Sequence, residues 1–225
     1  MPKIETENAL VLSVKRYSEH AFIAHILTQE HGHYAGLIRA KRPPQTGSFV
    51  SGRWQARLSE QLGQFYIEEK VPLAARFLDD KVRLTVLETC CALLEKVVPE
   101  RQLYPTLFES AGQLLTHLDA DDFLKKYVLF ERDLLTLLGF GFELTRCVGC
   151  GRTDQLTYLS PKTGGAVCDT CGQPYKKGLL PLPRLFFQSD GDVIEAFNVT
   201  GFFIRERLTE TEIPCRIRLK NIIEP

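Results

Sequence analysis

The chain has 225 residues, 44% of them hydrophobic and 25% charged, and a formal net charge of zero at pH 7. That balance suits a soluble folded protein with a sizeable core and one to three modules, and it excludes a disordered or uniformly basic chain. No apolar run approaches the ~20 residues a membrane helix needs, and no signal peptide is visible, so a reducing cytoplasm is the expected compartment.

The first 78 residues read as strands. Ala9 to Tyr17, His20 to Thr28 and Tyr34 to Arg39 carry β-branched, aromatic and aliphatic residues at a loose period of two. Two further strands are predicted at Arg53 to Leu58, which holds the single Trp, and at Gln64 to Val71, which Pro72 closes. Five short strands fit an OB-type barrel. His31 and His33 flank Gly32 in a predicted turn and are read as polar turn residues rather than metal ligands. Of Tyr17, Phe49, Trp54 and Tyr66, at least three are expected in the barrel core, although any of them could stack on a base.

Up to residue 78 there are ten Lys or Arg against seven Glu and no Asp. Three of these cations, Arg39, Lys41 and Arg42, fall in the segment Arg39 to Ser48, where Pro43, Pro44 and Gly47 forbid a helix or interior strand. A projecting basic loop beside a small barrel suits a surface that follows successive phosphates, and Lys15, Arg16, Arg53 and Arg57 would extend it if they share that face. Charge alone leaves an equal alternative, in which these are solvated edge cations that discourage strand pairing.

Beyond Pro72 the period becomes 3.6. Asp79 and Asp80 supply a cap for a helix carrying Val82, Val86, Cys90, Leu94 and Val97, which must stop by Pro99. A second helix is predicted from Pro105 and a third from about Asp121 to Gly139. The third is apolar almost all round, which places it centrally. These faces can pack as a helical domain. Further helices are predicted near Val199 to Leu208 and Ile217 to Ile222.

Into this region is set Cys147-x2-Cys150, then seventeen residues, then Cys168-x2-Cys171. Paired CxxC knuckles, with Gly149, Gly151 and Gly172 permitting the turns, match a four-thiolate zinc ribbon, ahead of two disulfides or four unrelated thiols. Four sulfurs close the coordination sphere, and no His lies between residues 118 and 225 to build an open catalytic site. One structural Zn2+ is therefore expected, coupled to folding of its module. Cys90, Cys91 and Cys215 are read as small apolar residues. The chain has no Walker, GxGxxG or GxSxG motif, so no enzyme is expected. The fold class is α+β: an OB-type barrel (1–78), a helical domain (79–145), an inserted zinc ribbon (146–178) and a C-terminal segment (179–225) returning to the helical domain.

Three local patterns carry a resemblance to a known family. They are Ala9-Leu10-Val11-Leu12 with Tyr17-Ser18-Glu19, Thr28-Gln29-Glu30-His31-Gly32 through Lys41-Arg42, and Phe130-Glu131 with Leu134-Leu135 and Leu138-Gly139-Phe140-Gly141 directly before the cysteines. In this order the chain resembles the RecO family of bacterial recombination mediators over nearly its whole length. The resemblance implies a bacterial, nucleoid-associated protein without nucleotide hydrolysis. Such a protein binds single- and double-stranded DNA, anneals complementary strands, and cooperates with RecR and single-stranded DNA-binding protein to load RecA. It implies DNA contact at Lys15, Arg16, Arg39, Lys41, Arg42 and Arg53. It also implies a helical body that receives the acidic tail of single-stranded DNA-binding protein, with Lys125, Lys126 and Arg132 as candidate partners. The sequence departs from the family at Pro214 to Lys220, which stands where a Lys-Ser-Arg type segment is usual. Two other classes stay open from the residues alone: a zinc-ribbon accessory factor of transcription or translation, which would bind RNA, and a non-enzymatic scaffold.

Overall fold

The structure is a computed structural model in which residues 2–58, 61–188 and 190–224 are described. The chain forms two compact units, residues 1–123 with 212–225, and residues 124–211.

The first unit is built on β1 (Lys3–Ser18), β2 (Ala21–Thr28), β3 (Gly32–Arg39), β4 (Phe49–Gln55) and β5 (Gly63–Val71). Among the described residues these close into a barrel in the order β1-β2-β3-β5-β4, with β4 returning to β1. All pairings are antiparallel except a short parallel one between Gly36–Ile38 and Gly63–Phe65, which makes the barrel OB-type. β1 begins six residues earlier than the hydrophobic pattern suggests. Its first half alternates charged and half-buried residues while pairing with β4, and its second half pairs with β2. A bulge between Val11 and Ser13 shifts the alternation. Ala9 and Val11 then join Ala24, Ile26, Ile38, Val50, Trp54 and Phe65 inside, while Leu10 and Leu12 are buried on the outer face, which α1 (Lys81–Val97) covers.

α1 starts where expected because the Asp80 carboxylate accepts the Arg83 backbone N–H at 2.9 Å. It buries Val86, Leu87, Cys90, Cys91, Leu93 and Leu94, each large aliphatic side chain contributing about 2 kcal/mol on leaving water. Burial pushes the Cys91 thiol up to about 12, consistent with an inert packing residue. α2 (Pro105–Thr116) belongs to the same unit, as does the helix Pro214–Ile223, which packs on α1 and places Arg218 against Glu88.

The second unit contains α3 (Phe123–Leu137), the strands β6 (Leu156–Leu159), β7 (Ala166–Cys168) and β8 (Leu180–Pro181), a single turn α4 (Asp169–Gly172), and α5 (Val193–Ile204). α5 begins six residues before the predicted start, because Asp192 caps it by accepting the Ile194 and Glu195 amides at 2.7 and 3.1 Å. The chain-terminal helix Pro214–Ile223 is α6, opened by proline at its first position.

α3 lies at the core of its unit, with Tyr127, Val128, Phe130, Glu131, Leu134 and Leu135 buried. Glu131 is fully buried; its two carboxylate oxygens lie 2.5 Å from the Tyr127 and Thr200 hydroxyls. Removing the carboxylate takes a buried acceptor from both hydroxyls, of which Thr200 also donates to Phe197 O at 3.0 Å, and leaves a cavity. Glu131→Ala should cost about 3 kcal/mol of stability, read as a lowered thermal midpoint, with Glu131→Gln falling between the two. An unchanged midpoint in the Ala variant would show that the network is dispensable.

Candidate nucleic-acid interface and metal centre

The loop between β3 and β4 is exposed at its cationic start and anchored at its end. Arg39, Lys41 and Arg42 are exposed, whereas Pro44, Gly47 and Ser48 are buried. Gly47 adopts φ +82°, and a Cβ there would lie 2.5 Å from Leu87 of α1, so only glycine fits. Its N–H donates to Val11 O at 2.8 Å. Glu69 of β5 accepts the Gln45 backbone N–H at 3.3 Å and the Ser48 hydroxyl, so this carboxylate holds the loop.

A groove of about 620 Å³ opens where β3 diverges from β5, lined by Arg39, Arg42, Pro44, Ser51, Tyr66 and neighbouring residues. Arg53 and Tyr66 are register partners on β4 and β5, and the Arg53 guanidinium sits 4.6 Å from the Tyr66 ring centroid. That stack presents a cation on an exposed aromatic at the groove edge. Glu68 and Glu69 also line the groove, but Glu69 is already engaged by the loop.

Of the six predicted DNA contacts, Arg39 and Arg42 share this groove, and Arg53 joins it through Tyr66. Lys41 is exposed on the same loop. Lys15 points to the other side of β1, where its Nζ lies 2.9 Å from Glu95 of α1. The Arg16 Nε donates to Ser18 O at 3.4 Å. Arg57 lines a separate hollow with Tyr17, Leu37 and Leu62.

The aromatic residues divide differently from expectation. Trp54 is 2% exposed and donates to Ala35 O at 2.9 Å, and Phe49 is half-buried. Tyr17 and Tyr66 are instead exposed, at 69% and 41%. Tyr66 lies between the inward-facing Phe65 and Ile67, so the strand's period of two, counted from Phe65, would have found it. His33 also departs from a turn role. It is 2% exposed on β3, its Nδ1 lies 2.9 Å from Val98 O, and its Nε2 lies 3.1 Å from the Nδ1 of His25. Burial holds the His25 pKa below the usual imidazole range, with the neighbouring Glu95 opposing.

The four cysteines converge. Their sulfurs all lie within 4.8 Å of one another, and Cys150 Sγ is 3.7 Å from Cys168 Sγ. A tetrahedral zinc with Zn–S near ~2.3 Å requires sulfurs about 3.8 Å apart, whereas a disulfide requires ~2.05 Å. All four thiols are free, so the geometry fits a metal site and not a bridge. Local structure builds each knuckle. The Gly149 N–H points at Cys147 Sγ at 3.4 Å, the Gly151 N–H donates to Cys147 O at 2.8 Å, and Gly151 takes φ +77°. Cys168 ends β7 and Cys171 sits in the α4 turn, so β6–β7 pairing carries the second knuckle to the first. Burial opposes ionisation of Cys147, but the amides of Cys168, Gly149 and Cys150 outweigh it and hold its pKa at about 6. Hydrogen bonds with Cys150 and Cys168 push Cys171 up to about 12. The chemistry of this donor set is that of a thiolate metal centre.

Two family models cover most of the chain: Recombination protein O N terminal matches residues 1–67, and Recombination protein O C terminal matches residues 78–211. The chain belongs to the RecO family. Its relatives include the DNA repair protein RecO of Rhodospirillum centenum, 38% identical across 93% of this chain and 90% of the relative. Those of Bartonella quintana and Bartonella tribocorum are 35% and 36% identical across 91% of this chain and 89% and 87% of their own lengths. The first RecO model ends inside β5 and the second begins just before α1, so the unmatched residues 68–77 between them contain Pro72, where the sequence period changes. Among the described residues of this RecO-family chain, no helix is long and apolar enough to cross a membrane.

The α3 cations of this RecO chain have distinct surroundings. Lys126 is exposed and Lys125 half-buried. Arg132 is held internally, its Nη1 donating to Phe186 O at 2.8 Å and its Nε and Nη2 to Asp133 at 2.9 and 2.7 Å.

Proposed function

We propose that the chain is a non-enzymatic DNA-repair mediator that binds single- and double-stranded DNA and anneals complementary strands. The observation that carries this reading is the anchored loop. Among the described residues Arg39, Lys41 and Arg42 have no carboxylate partner, and they stand beside a groove edged by the Arg53–Tyr66 stack. Cations so placed neutralise phosphates, and an exposed ring offers a base a stacking face. Annealing breaks no covalent bond. Screening the repulsion between two strands lowers the barrier, and base pairing supplies the driving force.

The relatives are named DNA repair proteins, which supports placing this activity in recombinational repair in the bacterial cytoplasm, at the nucleoid. There the protein works with RecR and single-stranded DNA-binding protein to load RecA. Lys125 and Lys126 on α3 are the proposed contacts for the acidic tail of single-stranded DNA-binding protein, with Arg132 joining them only where the tail displaces Asp133 from its guanidinium. One Zn2+ held by Cys147, Cys150, Cys168 and Cys171 serves to fold the ribbon.

The test is annealing of complementary fluorescent oligonucleotides by the zinc-loaded protein without ATP, across a salt series and with strands coated by single-stranded DNA-binding protein. Acceleration that fades with salt and survives the coating is expected. No acceleration on bare or coated strands would overturn the reading.

A further inference from the structure

The segment after the second knuckle, Gln173–Gly178, is a 3-10 turn with every residue exposed. Its base is firm. Cys171 precedes it, and Leu179 follows it and packs with Tyr158 and Cys168 in the ribbon core. Gln173 is tied back to Asp169 by a 3.0 Å hydrogen bond. At the tip Tyr175 is 71% exposed, the most exposed of the chain's large hydrophobic side chains among the described residues. Beside it Lys176 and Lys177 have no carboxylate partner among the described residues. Packing explains none of the three side chains. A bare aromatic flanked by two unneutralised cations on a compact, anchored turn has the chemistry of a stacking platform for an unpaired base with phosphates on either side.

We propose that Tyr175, Lys176 and Lys177 form a second contact for single-stranded DNA, on a different unit from the barrel groove. This rests on the reading of the chain as a DNA-binding protein, and it gives the zinc ribbon a role beyond its own folding. A metal-anchored tip suits that role, because side chains presented from a fixed base lose less freedom on binding than those of a mobile loop.

The experiment uses the full zinc-loaded chain and measures binding of a fluorescent oligo(dT) over a salt series. The parent is compared with Tyr175→Ala, Tyr175→Phe and Lys176→Ala/Lys177→Ala. Tyr175→Ala should weaken binding about tenfold, with Tyr175→Phe close to the parent, as loss and retention of a stacking ring require. The double Lys variant should lower the slope of log K against log salt by about 1.4, two phosphates at ~0.7 each. All three should keep the parent's zinc content and thermal midpoint, since the side chains are exposed. Parental affinity and slope in both Ala variants, while an Arg39→Ala/Lys41→Ala/Arg42→Ala variant weakens, would overturn the ribbon contact alone. A parent that binds oligo(dT) at no salt concentration would overturn both the contact and the function on which it rests.

Discussion

Chelation, or Cys150→Ser, should unfold the ribbon from Cys147 to Leu179 while the barrel stays folded. The ribbon core consists of Cys147, Tyr158, Val167 and Cys168, with Leu156, Cys171 and Leu179 partly buried against it. That apolar set is too small to hold more than thirty residues in one conformation without a metal. Structural zinc in small modules contributes ~10–16 kcal/mol near neutral pH. Two of the four candidate ligands, Cys147 and Cys168, are themselves core residues, so metal binding there and the packing would stand or fall together. The barrel provides an internal control. The chain's single Trp is Trp54, buried in the barrel, so its emission reports the first unit and not the ribbon. We expect one zinc per chain, released by a strong chelator with loss of ribbon amide protection in hydrogen exchange and little change in Trp54 emission. Because the metal takes thiolates, its affinity should also fall as the pH falls. A folded ribbon in metal-free protein would refute a structural metal.

Replacing Arg39, Lys41 and Arg42 together with Ala should weaken binding to single-stranded DNA roughly 10- to 100-fold at low salt. The slope of log K against log salt should fall by about 2, three phosphates at ~0.7 each. The thermal midpoint should not move, because all three are exposed and the loop is held by Pro44, Gly47 and Ser48 instead. Lys15→Ala is the informative contrast. Its ammonium already faces Glu95 at 2.9 Å, so removing it removes a charge that is largely spent, and the slope should change far less than one third of the triple-variant effect. Equal slopes for parent and triple variant would take the loop out of the DNA site and leave the Arg53–Tyr66 stack to be tested alone.

Much of this was legible in the residues because the determining interactions are local. A period of two marks a sheet with one buried face, and it located four of the five barrel strands, whereas the fourth, predicted at Arg53 to Leu58, runs instead over Phe49–Gln55, where β1 and β5 pair with it. A period of 3.6 with Asp80 and Pro105 at the starts located α1 and α2. The double CxxC located the four-thiol cluster that could hold a metal, since donor type and spacing are properties of the sequence itself. The misjudged places are those where a distant partner decides. The first half of β1 has little hydrophobic alternation and is a strand because β4 supplies its hydrogen bonds. His33 reads as a polar turn residue until Val98, sixty-five positions away, accepts its hydrogen bond.

The candidate surfaces divide along the same line. The sequence by itself determined which cations, rings and thiols exist and which local elements carry them. Only the tertiary structure decided that Lys15 faces a glutamate eighty residues away, that Tyr66 turns outward to meet Arg53, and that Tyr175 stands bare beside two lysines with no carboxylate partner among the described residues. The reason is physical: charge and apolar area are fixed by composition, but whether a side chain is paired, stacked or exposed depends on which segments the closed barrel and the cysteine ribbon bring beside it.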